Sequence, residues 1–310
     1  MSPGIGHAST ALRSGQPNPA GSPTLASLLD RLRPFLPARF RERHPVVPVV
    51  RLVGAIGSVS ALRPGLSIAS CAPALERAFT MKGAKAVAIV VNSPGGSPVQ
   101  SHLIYRRIRS LSIEKKLPVL VFVEDAAASG GYMIACAGDE IIADPSSIVG
   151  SVGVVSAGFG LDRLIERYGV ERRVHTTGAR KAMLDPFRPE NPDDIVRLKA
   201  IQTDIFVAFS DLVSERRGAK LTKTPEELFT GDIWAGRAAL ELGLVDAIGD
   251  LRTVLRARFG DKVKMRVIPL ARPGLLARVF GRDPTIGPLI DPGQAIAAVE
   301  ERGLWARLGL

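Results

Sequence analysis

The sequence predicts an α/β fold built on a mostly parallel sheet. Short apolar, β-branched runs alternate with segments of helical periodicity along most of the chain, as at 86–91 and 98–109. Glycine-rich turns follow two of the apolar runs, at 92–97 and 129–131. A helix between successive strands is the connection that parallel pairing requires. Because sites in such sheets gather at the carboxyl ends of the strands, both turns are candidate functional loops.

The individual elements follow from the same patterns. The first half predicts strands at 46–56, 86–91, 118–123 and 140–143, and helices at 73–82, 98–109 and 132–137. Ser97 and Pro98 suit the N-cap and the first position of the helix at 98–109. The second half predicts a small-residue loop at 145–156 that leads into a strand, helices at 161–168 and 192–217, a helix and turn at 238–248, and strands at 171–177 and 263–268.

The composition is that of a soluble globular protein. With 310 residues, of which 46% are hydrophobic and 23% charged, the chain suits one large domain or one domain with terminal extensions. Two cysteines are too few for a disulfide framework or a metal site. The longest apolar run, at 46–56, is about half the length that a bilayer requires, and the amino terminus lacks a signal peptide. We therefore expect a cytoplasmic protein, with at most peripheral contact with the inner membrane.

The basic residues are unevenly distributed. The net charge is +11, and residues 1–45 carry six arginines against Asp30 and Glu42. Residues 1–23 are rich in glycine, proline, serine and alanine, which predicts disorder. Apolar residues at helical spacing predict an amphipathic segment at 24–43 that lies on an anionic membrane or packs on the protein's own core. A solvated arginine-rich surface is the alternative. Aromatic residues are few and not interleaved with basic ones, so no nucleic-acid partner is expected.

Ser129 is the candidate nucleophile. It lies where the strand at 118–123 gives way to an apolar helix, so the unbonded N–H groups of that helix's first turn face any negative charge that develops beside its hydroxyl. Gly130 and Gly131 allow close approach of the backbone. The alternative is a serine N-cap on a tightly packed core helix.

A serine nucleophile needs a base within hydrogen-bond reach. The chain contains four histidines, His7, His44, His102 and His175. His175 with Asp185 is a conceivable Ser-His-Asp arrangement, and His102 is equally consistent with a solvated helix residue. The better candidate is Lys181, in a glycine-containing loop after a predicted strand. A lysine acts as a base only when it is buried beside neutral hydrogen-bond partners, and Ser151 is a candidate partner. An exposed loop lysine is the alternative.

Five motifs, taken in order, resemble the signal peptide peptidase A family of serine peptidases, including its SohB-type members. They are NSPGGS (92–97), AASGGYM (127–133), GSVGVVS (150–156), TTGARKAM (176–183) and GDIWAGRAALELGLVDAIGD (231–250). The resemblance covers about residues 46–260. It implies the Clp-protease/crotonase superfold of stacked ββα units and a Ser-Lys dyad that uses no metal or nucleotide.

The resemblance also assigns roles to residues of this chain. Ser129 would be the nucleophile, Lys181 the general base and Ser151 the residue that holds the lysine. The backbone N–H groups of Gly96 and Gly130 would bind the oxyanion. The chain would divide into a basic arm (1–45), a peptidase domain (46–260) and a C-terminal strand with a basic tail (261–310). Since the chain carries one copy of the domain, the resemblance implies a ring-shaped homo-oligomer in which the lysine comes from the neighbouring protomer.

The expected function is that of an ATP-independent serine endopeptidase. It would cleave signal-peptide remnants or other extended, unfolded polypeptides, which would pair with the protein as an added strand. One alternative is a crotonase-like acyl-CoA enzyme, which would need a carboxylate base near the site. Another is a catalytically silent scaffold that uses the basic arm to bind a membrane or a partner.

Overall fold

The computed structural model describes residues 44–57, 65–178, 180–270, 299 and 302–310. The chain divides into two compact units, Met1–His44 and Pro45–Leu310. The predicted disorder at 1–23 and the predicted amphipathic segment at 24–43 lie outside the described residues. No helix within the described ranges is both long and apolar enough to cross a membrane.

The described part of the second unit contains one mixed sheet of eight strands. The strands are β1 (Val46–Val53), β2 (Val87–Ser93), β3 (Val119–Ala128), β4 (Glu140–Ala143), β5 (Ile148–Gly150), β6 (Ile233–Ala235), β7 (Ala247–Ile248) and β8 (Lys264–Ile268). They run in the order β6-β5-β3-β2-β1-β8, while β4 pairs with both β3 and β7. Every pairing is parallel except that of β5 with β6. The predicted α/β class with a mostly parallel sheet is therefore confirmed.

Eight α-helices flank the described strands. They are α1 (Ile68–Phe79), α2 (Pro98–Lys115), α3 (Gly130–Ala135), α4 (Asp162–Arg167), α5 (Pro192–Arg217), α6 (Pro225–Leu228), α7 (Gly236–Glu241) and α8 (Leu251–Phe259). Ser97 caps α2 as predicted, because its side chain accepts a hydrogen bond from the N–H of Gln100. The predicted bounds of β4 and α5 are likewise confirmed.

The sheet is covered on both faces, as a parallel sheet must be. On one face Val50, Leu52 and Ile89 pack with the helices α1, α2 and α3 in the larger core. On the other face Val49, Ala88 and Leu120 pack with Leu255 of α8. Alternate residues of each strand thus pack into different cores. Because both faces are buried, the sequence of these strands is a continuous apolar run.

Of two strands predicted in the second half of the chain, one is corrected by the structure and the other is confirmed. The strand predicted at 171–177 is wrong, because residues 171–176 are irregular. The charged residues of this segment leave no apolar face to bury, and the segment pairs with no neighbouring strand among the described residues. The predicted C-terminal strand exists as β8, but it pairs in parallel with β1 and so belongs to the central sheet rather than to a separate tail.

Candidate active site

Ser129 occupies a strained position between β3 and α3. Its φ of 52° and ψ of −121° are unusual for a residue with a side chain. The backbone is held in place because the Ser129 N–H donates to the carbonyl of Gly150 (2.8 Å) and the N–H of Met133 donates to the Ser129 carbonyl (3.0 Å). The Ser129 side chain makes no capping hydrogen bond. Ser129 therefore occupies the N-cap position of α3 without capping the helix through its side chain, so the hydroxyl is not committed to its own helix.

The turn at 92–97 packs directly against this serine. A Cβ atom added to Gly95 would lie 2.8 Å from the Cβ of Ser129. The Ile56 N–H donates to the Gly95 carbonyl (2.8 Å), and the Ser97 N–H donates to the Ile56 carbonyl (2.8 Å). These bonds leave the intervening N–H of Gly96 without a partner among the described residues. The buried hydroxyl of Ser93 accepts from the Gly95 N–H (3.2 Å) and completes the support of the turn.

Two backbone N–H groups are thereby available beside the Ser129 hydroxyl. One belongs to Gly96, and the other to Gly130, whose N–H begins α3 and has no acceptor within the helix. Neither glycine has room for a side chain, since a Cβ on Gly96 would collide with the Ile56 carbonyl and one on Gly130 with the Ser101 hydroxyl. Fixed N–H donors of this kind stabilise negative charge that develops on an attacked carbonyl oxygen.

Ser151 lies at the end of the neighbouring strand. Gly150 and Ala128 are directly opposite in the pairing of β5 with β3, so Ser151 and Ser129 follow adjacent strand ends. Ser151 also has a positive φ, of 54°. Its N–H donates to the carbonyl of Asp232 (2.6 Å). The structure thus brings the predicted nucleophile and the predicted base-supporting serine to one place.

A cavity of about 1060 Å³ opens over these residues. Its polar lining includes Ser129, Ser151 and Asp232, together with both candidate oxyanion glycines. Its apolar lining comes from side chains that include Met133, Val154, Ile205, Phe206, Phe209 and Phe229. The C-terminal segment 302–310 also reaches this cavity, through Leu304, Arg307 and Leu308. The cavity is large enough for several residues of a peptide.

Lys181 is not brought to this cavity within one chain. It is exposed in a turn where its N–H donates to the Gly178 carbonyl (3.1 Å), and it does not line the cavity that holds Ser129. The turn ends at Leu184, which has a positive φ of 57°. Of the four described non-glycine residues with positive φ, three are therefore Ser129, Ser151 and Leu184, and the fourth is the C-cap of α2. Backbone strain is concentrated in the segments that the sequence singled out.

The residues of the alternative Ser-His-Asp arrangement are not brought together either. His175 is exposed and does not line the cavity. Asp185 instead accepts hydrogen bonds from the Phe187 N–H (3.1 Å) and from Arg172 (3.4 Å). These two partners hold the pKa of the Asp185 carboxyl below its usual range. His102 is exposed on α2 and stacks with Tyr105, which agrees with a solvated helix residue.

Sequence reasoning missed the side chains that form hydrogen bonds around α3 and its C-terminal end. Arg216 donates to the carbonyls of Cys136 (2.9 Å) and Gly138 (2.8 Å). The buried Tyr132 hydroxyl donates to the Leu244 carbonyl (2.7 Å). Burial raises the pKa of Cys136 to about 12, so this thiol stays protonated and unreactive. A basic residue in the last turn of α5 was the available signal for Arg216, but its acceptors lie about eighty residues away in sequence.

Comparisons with known proteins agree with this geometry. The sequence profile of Peptidase family S49 matches residues 112–264. The Synechocystis sp. protein named "Putative protease slr0021" is 34% identical over 212 residues that cover 66% of this chain and 75% of that protein. The chain belongs to peptidase family S49. The resemblance to the signal peptide peptidase A family is thereby confirmed.

Two other matches extend over more of the chain. "Serine protease SPPA, chloroplastic" of Arabidopsis thaliana is 30% identical over 275 residues, covering 82% of this chain and 40% of that protein. A Brucella abortus protein named "Na(+)/H(+) antiporter NhaA" is 55% identical over 299 residues, covering 92% of this chain and 39% of that protein. The chain thus spans about two fifths of these longer relatives, and the antiporter name describes the whole Brucella protein.

A solved structure of a membrane-bound stomatin-specific protease is also similar to this chain. It has 19% sequence identity and a TM-score of 0.46, and the match covers 73% of this chain and 98% of that one.

Proposed function

We propose that this chain is an ATP-independent serine endopeptidase in which Ser129 is the nucleophile. The observation that carries the proposal is the strained backbone of Ser129 beside the N–H groups of Gly96 and Gly130. The Ser129 Oγ attacks the peptide carbonyl carbon, and the resulting oxyanion accepts hydrogen bonds from the two glycines. Collapse of this intermediate expels the amine and leaves an acyl-enzyme on Ser129, which water then hydrolyses.

The base in this proposal is Lys181 of a neighbouring copy of the chain. A neutral lysine amine takes the Ser129 proton and later gives it to the leaving amine, while Ser151 orients that amine by a hydrogen bond. Lys181 is exposed and outside its own chain's cavity, which agrees with a role at an interface between copies. A heterologous interface repeated by rotation closes into a ring.

Exposed apolar side chains support assembly with a second copy. Between β5 and α5 they include Val155, Phe159 and Tyr168, which are 61%, 84% and 74% exposed. Val196, Ile201 and Val207 are exposed on α5. Apolar side chains of this size and number are typical of a surface that another protein covers.

The proposed substrates are extended polypeptides, such as signal-peptide remnants or unfolded segments. An extended chain can enter the cavity above the strand ends and form backbone hydrogen bonds. The apolar lining from α5 and the loop at 228–233 favours apolar side chains near the cleaved bond. Gly95, Gly96 and Gly130 are packed against the protein's own atoms, which fixes the backbone that faces the substrate.

One observation keeps the acyl-CoA alternative as a second candidate. Asp232 lines the cavity and is the kind of carboxylate that such an enzyme needs. Its Oδ2 accepts a hydrogen bond from the Thr230 hydroxyl (2.6 Å), which favours a structural role for Asp232. Replacing Asp232 by Asn distinguishes the two candidates, because a peptidase that uses Ser129 retains most of its activity and an enzyme that uses the carboxylate as base loses it.

Covalent labelling tests the nucleophile directly. A fluorophosphonate probe is expected to add mass to the peptide that contains Ser129 and to abolish cleavage of an unfolded protein. Ser129→Ala should prevent labelling, whereas Ser151→Ala should retain the labelled site. A protein that cleaves peptides but carries the probe elsewhere, or carries none, would contradict the assignment of Ser129.

A further inference from the structure

The amino ends of four adjacent strands form one continuous edge of the sheet, opposite the catalytic cavity. The Lys264 N–H donates to the Pro45 carbonyl (2.8 Å), and the Lys85 N–H donates to the Val46 carbonyl (3.0 Å). The Val87 N–H donates to the Pro118 carbonyl (2.9 Å). These bonds place β8, β1, β2 and β3 side by side at their starts. We call the described residues 44–46, 82–86, 113–118 and 261–264 the amino edge.

The amino edge is strongly basic. Its exposed lysines include Lys82, Lys85, Lys115, Lys116 and Lys264. Acidic side chains are fewer there: Glu114 pairs with Lys115 (2.7 Å), Asp139 just before β4 pairs with Arg109 (2.7 Å), and Asp261 is exposed. Lysines from three separate segments of the chain thus contribute to one surface, although no single stretch of sequence shows a basic run.

An exposed apolar side chain lies within this basic surface. Ile113, in the last turn of α2, is 69% exposed next to the loop that carries Lys115 and Lys116. Lipid headgroups with acyl chains beneath them match an exposed apolar residue that is close to lysines in the chain. An exposed isoleucine offers a nucleic acid no comparable contact. Proteins that bind single-stranded nucleic acids combine basic residues with aromatic rings on which the bases stack.

The position of the chain's first residues adds a second observation. Residues 1–44 join the folded unit at Pro45, between the strand starts that carry Lys264 and Lys85. These residues hold six arginines and the apolar spacing of 24–40. The arginine-rich segment is therefore covalently joined to the amino edge.

We propose that the amino edge docks on an anionic lipid surface, with Lys85 and Lys116 among its contacts. Each lysine near such a surface contributes about fivefold to binding. Binding should fall as salt rises, because the contacts are between exposed charges.

Docking by the amino edge has a consequence for the substrate, which rests on the proposed role of Ser129. Strand β3 has ten residues and runs from the amino edge to Ser129. At about 3.3 Å per residue it holds the nucleophile roughly 30 Å from the lipid. A membrane-tethered polypeptide can reach the cavity only if about nine or ten extended residues project from the bilayer. Shorter remnants would have to leave the membrane first.

Vesicle binding by the full chain tests the docking surface. Wild-type protein is sedimented with vesicles of phosphatidylcholine alone and with vesicles that also contain phosphatidylglycerol. The double variant Lys85→Glu with Lys116→Glu is compared with Arg106→Glu with Arg237→Glu. The second variant has the same net charge but alters exposed residues of α2 and α7 that lie outside the amino edge. We expect at least about 25-fold weaker binding to the anionic vesicles for the edge variant and little change for the control. Cleavage of a soluble unfolded protein, with circular dichroism, shows that both variants are folded.

Several results would overturn docking by the amino edge. They are equal losses in the two variants, wild-type binding in the edge variant, no preference of the wild type for anionic vesicles, or a larger loss of binding to duplex DNA than to vesicles. Peptides tethered to lipid through spacers of increasing length test the distance between the membrane and the cavity. If the peptide on the shortest spacer is cleaved as fast as the peptide on the longest, that distance is refuted. If soluble peptides are not cleaved at all, the proposed peptidase function fails while the vesicle result still decides the docking surface.

Discussion

The backbone N–H of Ser129 donates a hydrogen bond of 2.8 Å to the carbonyl of Gly150, the residue before Ser151. Both serines have positive φ angles, at the ends of paired strands. The bond therefore connects two strained turns, and neither can relax without displacing the other. The ring of Trp234 packs against Gly150, where an added Cβ would lie 2.7 Å from it. Close packing of this kind holds a reactive hydroxyl in position before substrate arrives.

We predict that Ser129→Ala and Lys181→Ala each remove nearly all peptidase activity, because nucleophile and base act as a unit. Circular dichroism should show that both variants are folded. When the two inactive chains are mixed, unfolded and refolded together, about a quarter of the interfaces pair an intact serine with an intact lysine, so about a quarter of wild-type activity should return. Inactive mixed oligomers of normal size would place both groups on one chain.

We predict that Gly95→Ala lowers kcat by about 100-fold, because the new methyl group displaces Ser129. It would lie 2.8 Å from the Ser129 Cβ and 2.9 Å from the Ala128 carbonyl oxygen. Gly83→Ala is the matched control, since Gly83 also has a positive φ, of 81°, but has no neighbour within 4 Å. The control should lose about 1–2 kcal/mol of stability from backbone strain and keep its kcat. Similar kcat values for the two variants would argue against a tight fit at Ser129.

We predict that deleting residues 302–310 raises kcat/KM for unfolded protein substrates roughly tenfold, equivalent to about 1.4 kcal/mol. Leu304, Arg307 and Leu308 line the same cavity as Ser129, so a bound polypeptide must compete with them for space. The increase should come mainly from a lower KM. Leu304→Ala with Leu308→Ala should reproduce part of it, and unchanged kinetics in both variants would show that the segment does not obstruct the cavity.

We predict that Asp246→Asn lowers the free energy of unfolding by about 2–3 kcal/mol at neutral pH. Burial alone would raise the pKa of Asp246, but hydrogen bonds from Arg217 (2.7 Å) and Lys220 (2.6 Å) outweigh it and hold the pKa below its ordinary value. A depressed folded-state pKa adds stability that is complete above the unfolded-state pKa and is lost as pH falls through the folded-state pKa.

The difference in stability between wild type and Asp246→Asn should therefore shrink as the solution becomes acidic. Urea unfolding at a series of pH values measures it. Asp204→Asn, at an exposed position on α5, serves as the control and should change stability by less than about 0.5 kcal/mol. If the difference in free energy of unfolding stayed constant down to strongly acidic pH, the charge of Asp246 would not contribute to stability.

The sequence alone determined the features that depend on near neighbours in the chain. Hydrophobic periodicity predicted β4 and α5 with their observed bounds, and Ser97 with Pro98 marked the start of α2. The change from an apolar run to a glycine pair located Ser129 at a strand-to-helix junction. These signals come from residues within one or two turns of each other, so the local backbone expresses them directly.

Only the tertiary structure decided what surrounds the serine and where the charges gather. The contact of Gly95 with Ser129, the bond from Ser151 to Asp232 and the helix support by Arg216 join residues that are tens of residues apart. The strand predicted at 171–177 was wrong because that segment pairs with no strand among the described residues. The amino edge is basic only because parallel pairing aligns the starts of four strands. Pairing and packing between distant segments depend on the whole chain, whereas caps and periodicity depend on a few adjacent residues.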